Sequence, residues 1–140
     1  MNPFDIGKNL RQMIRNVRQF INKGIRDFDM NEGQFEYFFM IYKHTGINQK
    51  ELAEMMCVSK ASVTKAIKKL LAAGLIARLK DKNDLRHYGL YITEAGKKFA
   101  KQFDDYEARI KEVMFSGISD EEIKLFSSIV TRMKENSRKL

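Results

Sequence analysis

Between Ser59 and Leu79 the chain carries no acidic residue, and small, hydroxylated and basic side chains recur there at helical spacing. At about 100° per residue, Val63, Ala66, Ile67 and Leu70 gather on one face of a helix predicted over about 60–73. Ala61, Ser62, Thr64, Lys65, Lys68 and Lys69 gather on the other face, with Ser59 as the cap and Lys60 in the first turn. Such a face suits a polyanion. Small residues let a backbone come close, while hydroxyls and amines reach base edges and phosphates in a major groove. A second cluster follows in the polar connector 81–86 and its flanks: Lys80, Lys82, Asn83, Asp84, Arg86 and His87. An arginine on a thin loop can enter a minor groove. Asp84, two residues before Arg86, is placed to brace the loop or orient the guanidinium. Each cluster alone also reads as a solvated surface. Their succession after a short helix and a tight turn favours recognition of double-stranded DNA.

The bulk composition agrees. The chain has 140 residues, a formal net charge of +8 and 44% hydrophobic residues, enough for a core beneath a polyanion-binding surface. It has one cysteine, Cys57, and two histidines, His44 and His87, so neither an intrachain disulfide nor a Cys/His metal framework is available. No paired general acid and base, phosphate-cradling glycine loop or nucleophile motif is present, so no enzyme and no cofactor are expected. No run of about 18 apolar residues exists to cross a membrane. The opening MNPFDIGKNLRQ lacks an uninterrupted apolar stretch, so a signal peptide is not expected and a cytoplasmic location is the default.

The elements that must position these clusters are mostly helical, since the single proline stands at position 3. Phe4, Leu10, Met13, Ile14, Val17, Phe20 and Ile21 make an amphipathic helix over 3–26. Asn31 with Gln34, and Asn48 with Glu51, form capping boxes for the next two helices. Gly46 stops the first of these, and the second runs to about Met56. Ala53 supplies the small residue at the packing of the two-helix unit, and Leu52, Met56, Val58, Val63 and Ala66 its apolar slots. The turn is Cys57-Val58-Ser59, and the helix after it ends at Gly74. LIARLK (75–80) and HYGLYI (87–92) predict a β-hairpin. Thr93 then opens one long helix with a stripe of Phe99, Phe103, Tyr106, Ile110, Val113 and Met114. Gly117 ends it, and a box at Ser119 opens a last helix carrying Ile123, Phe126, Ile129, Val130 and Met133.

These residues resemble the MarR family of winged helix-turn-helix regulators over nearly the whole chain. The resemblance is strongest in QKELAEMM, SKASVTKAIKKLLAAGLIARL and NDLRHYGLYITEAG. It includes the aspartate-x-arginine pair of the wing (Asp84, Arg86), the Gly-Leu-Ile-x-Arg stretch (Gly74, Leu75, Ile76, Arg78) and a threonine-x-x-glycine helix opening (Thr93, Gly96). The resemblance implies a mainly α fold with a small β-hairpin wing and N- and C-terminal dimerisation helices. On that plan 1–30 is a dimerisation helix, 31–92 a DNA-binding lobe with its recognition helix at about 60–73 and wing at about 75–92, and 93–140 further dimerisation helices. It implies a homodimeric regulator, most readily a repressor, of a pseudo-palindromic operator. Relief by a small aromatic or phenolic effector, or by an oxidant, is also implied. The alternative from the residues alone is a winged-helix module that docks protein or RNA.

The terminal stripes support a dimer independently. Phe4, Met13, Val17, Phe20 and Ile21, and likewise Phe126, Ile129, Val130 and Met133, lack evident partners within a helix-turn-helix core, so an isologous interface is expected. Two reading heads would then address half-sites roughly 34 Å apart. Phe35, Phe38, Phe39 and Tyr42 crowd the second helix beyond the needs of one apolar face, although such a stripe also serves as core. The family places effectors between the dimer helices and the DNA-binding lobe, where Arg15 or Arg18 could meet an anion. Cys57 stands where a helix-turn-helix commonly has glycine, so either the turn is built differently or strain is tolerated. Its neighbours Met55, Met56 and Val58 predict a buried, unreactive thiol.

Overall fold

Helices begin wherever a capping side chain precedes an apolar run. The computed structural model describes residues 2–26 and 30–140, with the side chain of residue 32 outside that description. Among those residues the elements are α1 (Pro3–Ile25), α2 (Glu32–Lys43), α3 (Gln49–Met56), α4 (Lys60–Ala72), β1 (Ile76–Lys80), β2 (Tyr88–Ile92), α5 (Glu94–Lys101), α6 (Asp104–Met114) and α7 (Asp120–Ser137). Asn2 accepts from the Phe4 N–H at the start of α1. The expected capping boxes form reciprocally at Asn31/Gln34, Asn48/Glu51 and Ser119/Glu122. Each cap satisfies an otherwise orphaned donor and stabilises its helix by about 1 kcal/mol. Gly46, Gly74 and Gly117 hold the positive φ that ends the helices before them.

The chain forms two compact units, Met1–Tyr106 and Glu107–Leu140. In the first, α2 packs on α1, α4 and β2, and α3 packs on α4. Phe38, Ile25, Ile41, Leu52, Ile67, Leu70, Leu90 and Val63 are its most deeply buried side chains, each with less than 2% residual exposure. Each contributes roughly 1.5–3 kcal/mol by leaving water. An aromatic chain extends this core: Phe38 meets Phe99 edge-on at 4.9 Å, Phe99 meets Phe103 at 4.9 Å, and Phe103 meets Tyr106 at 5.2 Å. In α7 no residue is buried.

β1 and β2 pair antiparallel from Ile76 opposite Ile92 to Lys80 opposite Tyr88. The middle of β2 is tied to the α2–α3 connection. The Gly46 N–H donates to the Leu90 carbonyl at 2.9 Å, and the Leu90 N–H donates to the Ile47 carbonyl at 2.8 Å. Thr93 closes the other side: its N–H donates to Leu75, its hydroxyl donates to the Gly74 carbonyl at 2.6 Å, and that oxygen accepts from the Gly96 N–H. A Cβ at position 96 would collide with the Leu75 carbonyl. The threonine-x-x-glycine signature is therefore a packing device that locks the hairpin to α5.

Four expectations are corrected. The helix after Thr93 is two helices, α5 and α6, because Gln102 and Phe103 turn tightly, donating to the Phe99 and Ala100 carbonyls. Buried Phe103 pulls the chain inward there, and Asp104 and Asp105 suit a new helix start. Phe20 and Ile21 have partners within the chain: Phe20 lies 5.3 Å from Tyr106, and Ile21 packs on the core. Val58 is 37% exposed and does not fill an apolar slot of the turn. Cys57 is exposed rather than buried, because the left-handed backbone at φ 54°, ψ 45° ends α3 and turns its side chain outward. The turn thus has the ordinary left-handed geometry, held without glycine at a cost of about 1 kcal/mol or more.

Candidate nucleic-acid interface

The two faces of α4 separate as its periodicity demands. Val63, Ala66, Ile67 and Leu70 are buried, while Ala61, Ser62, Thr64, Lys65, Lys68 and Lys69 are exposed, as are Ser59 and Lys60 at its start. Among the described residues, Lys60, Lys65, Lys68 and Lys69 have no acidic partner. The first turn of α4 carries no acid either, so nothing there opposes a phosphate. The hydroxyls behave differently from the amines. Ser59 Oγ accepts from the Ser62 N–H at 3.2 Å and lies 2.9 Å from Ser62 Oγ. Thr64 Oγ1 donates to the Lys60 carbonyl at 2.9 Å. The hydroxyls are therefore engaged within the protein, and the lysines supply the mobile charge.

At the hairpin tip Asp84 organises its neighbours. One carboxylate oxygen accepts from the Arg86 backbone N–H at 3.1 Å and from Arg86 Nε at 3.2 Å, and the other lies 3.5 Å from His87 Nε2. The backbone hydrogen bond, then the guanidinium bond, hold this carboxyl below the usual carboxylate range. Asp81 accepts from the Asn83 N–H at 2.8 Å in the same turn. The Arg86 side chain nonetheless remains 89% exposed, with donors left over beyond its Asp84 contact. Lys82 is exposed beside it. Asp84 thus braces and aims the arginine that it partly neutralises.

A connection between the hairpin and α4 has no signature in the sequence. Arg78 Nη2 on β1 donates to Gln49 Oε1 at 2.6 Å, and Nε2 of the same amide lies 3.5 Å from Thr64 Oγ1. Arg78 was visible as a motif residue. Gln49 carried no signal, since its partners lie 29 and 15 residues away.

Comparison with known proteins places this architecture. Residues 30–88 match the family model described as the MarR family. The chain is 33% identical over 132 residues to an uncharacterized HTH-type transcriptional regulator, YybA, of Bacillus subtilis (strain 168), spanning 94% of this chain and 88% of that relative. It superposes on the crystal structure of a MarR transcriptional regulator from Methanosarcina mazei Go1 with a TM-score of 0.77 and 30% identity, covering 96% of each chain. The chain belongs to the MarR family of transcriptional regulators. A MepR–DNA complex from S. aureus, at 21% identity, shares the fold with a TM-score of 0.84 over 97% of this chain and 99% of that one. The winged helix-turn-helix expected from the sequence is the fold observed, and the MarR family consists of transcriptional regulators rather than enzymes. Among the described residues no helix is long and apolar enough to cross a membrane.

The residues considered for a MarR-type effector do not converge. Phe35 and Phe38 belong to the core rather than to a pocket wall: Phe38 has no exposure, and Phe35 lies 4.8 Å from Phe103. The bulky run on α2 is explained by packing on two sides at once. Phe39 and Tyr42 sit 6.1 Å apart near the surface, with the Lys43 ammonium 5.0 Å from the Phe39 ring. Arg15 and Arg18 line a separate depression of about 390 Å³ on α1, with Arg11, Gln19 and Asn22. Arg18 is also paired with Glu36 of α2 at 3.2 Å.

Proposed function

We propose that this MarR-family regulator binds DNA sequence-specifically as a homodimer and represses transcription by occupying a pseudo-palindromic operator. The observation that carries the reading is the exposed face of α4, where four lysines without acidic partners among the described residues flank small residues beside an engaged set of hydroxyls. Ser59, Lys60, Ala61, Ser62, Thr64, Lys65, Lys68 and Lys69 meet the major groove, with the lysines mainly on phosphates. Arg86, aimed by Asp84, and Lys82 reach the adjacent minor groove. The solved MepR–DNA complex, which shares this fold, supports DNA as the partner by analogy.

The dimer is supported by apolar faces that remain in water. Phe4, Met13 and Ile14 on α1 are exposed, and so are Leu125, Phe126, Ile129, Val130 and Met133 on α7. A small anionic or aromatic effector at Arg15 and Arg18, or at Phe39 and Tyr42, would relieve repression by changing the separation of the two reading heads.

The test is a salt-titrated binding assay against the upstream DNA of its own gene and a scrambled duplex, with mass by light scattering. The expected result is a dimer that prefers its own DNA by about a thousandfold or more. Equal, weak and salt-sensitive binding to both duplexes would overturn operator specificity and favour a docking module. In the same assay Arg86→Ala should cost about 1–3 kcal/mol of operator affinity. Unchanged affinity would remove the wing from the mechanism.

A further inference from the structure

Thr64 stands in the middle of the exposed face of α4, one turn beyond Ala61 and beside Lys65 and Lys68. A threonine on a groove-facing helix can meet a base pair in two ways. Its hydroxyl can hydrogen-bond a base edge, or its methyl can pack on the 5-methyl group of thymine. These select different operators, and here the surroundings of the side chain discriminate between them. The hydroxyl donates to the Lys60 carbonyl one turn back at 2.9 Å, so its only proton is used. On its acceptor side Gln49 Nε2 approaches at 3.5 Å, a long contact that nonetheless sets a donor against that oxygen. The amide cannot readily flip, because Gln49 Oε1 accepts from Arg78 Nη2 at 2.6 Å and a reversed amide would put two donors face to face. Gln49 is itself the first residue of α3, whose cap and box fix the backbone beneath it.

We infer that Gln49 is a positioning residue that keeps the Thr64 hydroxyl committed within the protein, so that Thr64 presents its methyl group to DNA and reads a thymine by its 5-methyl. Arg78 is the anchor of this device. Its place on β1 means that the hairpin, through Gln49, also fixes how the recognition helix displays Thr64. Ala61, small and one turn away, adds apolar surface to the same contact. The inference rests on the groove-reading role of α4 proposed above and specifies one base pair within it.

The test uses the full-length chain and duplexes enriched from a randomised pool. Each thymine of the enriched sequence is replaced in turn by deoxyuridine, which pairs identically and lacks only the methyl group. The wild-type chain should lose about fourfold in affinity for each thymine it contacts through Thr64, the value of roughly one buried methylene. Thr64→Val keeps the methyl and should retain that loss. Thr64→Ser keeps the hydroxyl and should no longer distinguish the two bases. Both variants alter an exposed side chain, and matching thermal melts will show that the fold is intact. Gln49→Leu frees the acceptor side of the hydroxyl, which can then take a base donor, and should narrow the ratio; an unchanged ratio would overturn its positioning role. Equal binding of thymine and deoxyuridine by the wild type at every position, or full discrimination by Thr64→Ser, would overturn the inference while leaving DNA binding standing. A pool that yields no enriched sequence would overturn the groove-reading role itself and the inference with it.

Discussion

Helices α4 and α7 are built to the same plan and end in opposite situations. Both open on a serine cap, Ser59 and Ser119, and both are amphipathic. The inner face of α4 is buried at Val63, Ala66, Ile67 and Leu70, and its polar face is left in water. α7 buries nothing, and it is the apolar face that stays exposed, with Leu125 at 59% and Phe126 at 50%. Their charges differ in the same sense. The first turn of α4 has no acid, whereas that of α7 has Asp120, Glu121 and Glu122, which satisfy its own helix dipole. Backbone and side-chain hydrogen bonds from Ser119 hold the Glu122 carboxyl low, so the start of α7 is complete in itself. The contrast teaches that a free face declares its partner by its chemistry. An unpaired basic face waits for a polyanion, and an uncovered apolar face waits for protein.

That comparison can be broken at three places. The largest effect is expected at Ile67, fully buried under α4. Ile67→Ala should destabilise the fold by about 2–5 kcal/mol in denaturant unfolding. A loss well below that range would mean that α4 is not held by its inner face. The second is α7, where Phe126→Glu combined with Ile129→Glu should convert a dimer to monomers in light scattering. Its thermal melt should show that the fold of Met1–Tyr106 persists. A double variant that stays dimeric would put the interface elsewhere. The smallest effect lies in the turn that delivers α4. Cys57→Gly removes the strain of a side chain at positive φ and should stabilise the protein by about 1 kcal/mol, a rise of a few degrees in melting temperature. An unchanged or lower midpoint would show that the exposed thiol, 3.7 Å from the Glu54 carbonyl, contributes more than the strain costs.

The faces of α4, the caps at Asn31, Asn48, Ser59, Thr93 and Ser119, and the two strands of the hairpin were legible because each follows from local spacing or from a side chain bonding its own neighbours. The turn at Cys57 left two readings open, a different build or tolerated strain, and its positive φ decides for strain. What escaped was set by contacts distant in sequence. Phe35 and Phe38 look like surplus aromatics until Phe99 and Phe103 are seen to pack on them. Exposure of Cys57 depends on where a left-handed residue aims its side chain, which apolar neighbours do not reveal. The break at Gln102 and Phe103 has no proline or glycine to announce it, and arises because Phe103 is drawn into the core. In the candidate site the lysines, Asp84 and Arg86 could be named from type and spacing alone. Gln49 could not, because an amide that bridges two elements is indistinguishable in sequence from any polar residue at a helix start.

The stitching of Leu90, midway along β2, to Gly46 and Ile47 makes the outer half of the hairpin a lever. Four residues separate Leu90 from Arg86, a reach of at most about 13 Å along extended chain. A rotation of about 10° at the α2–α3 connection would therefore sweep Arg86 through about 2 Å, comparable to the hydrogen-to-acceptor distance of one hydrogen bond. The displacement grows outward along the hairpin, so the arginine near its tip moves further than the packed residues at the anchor.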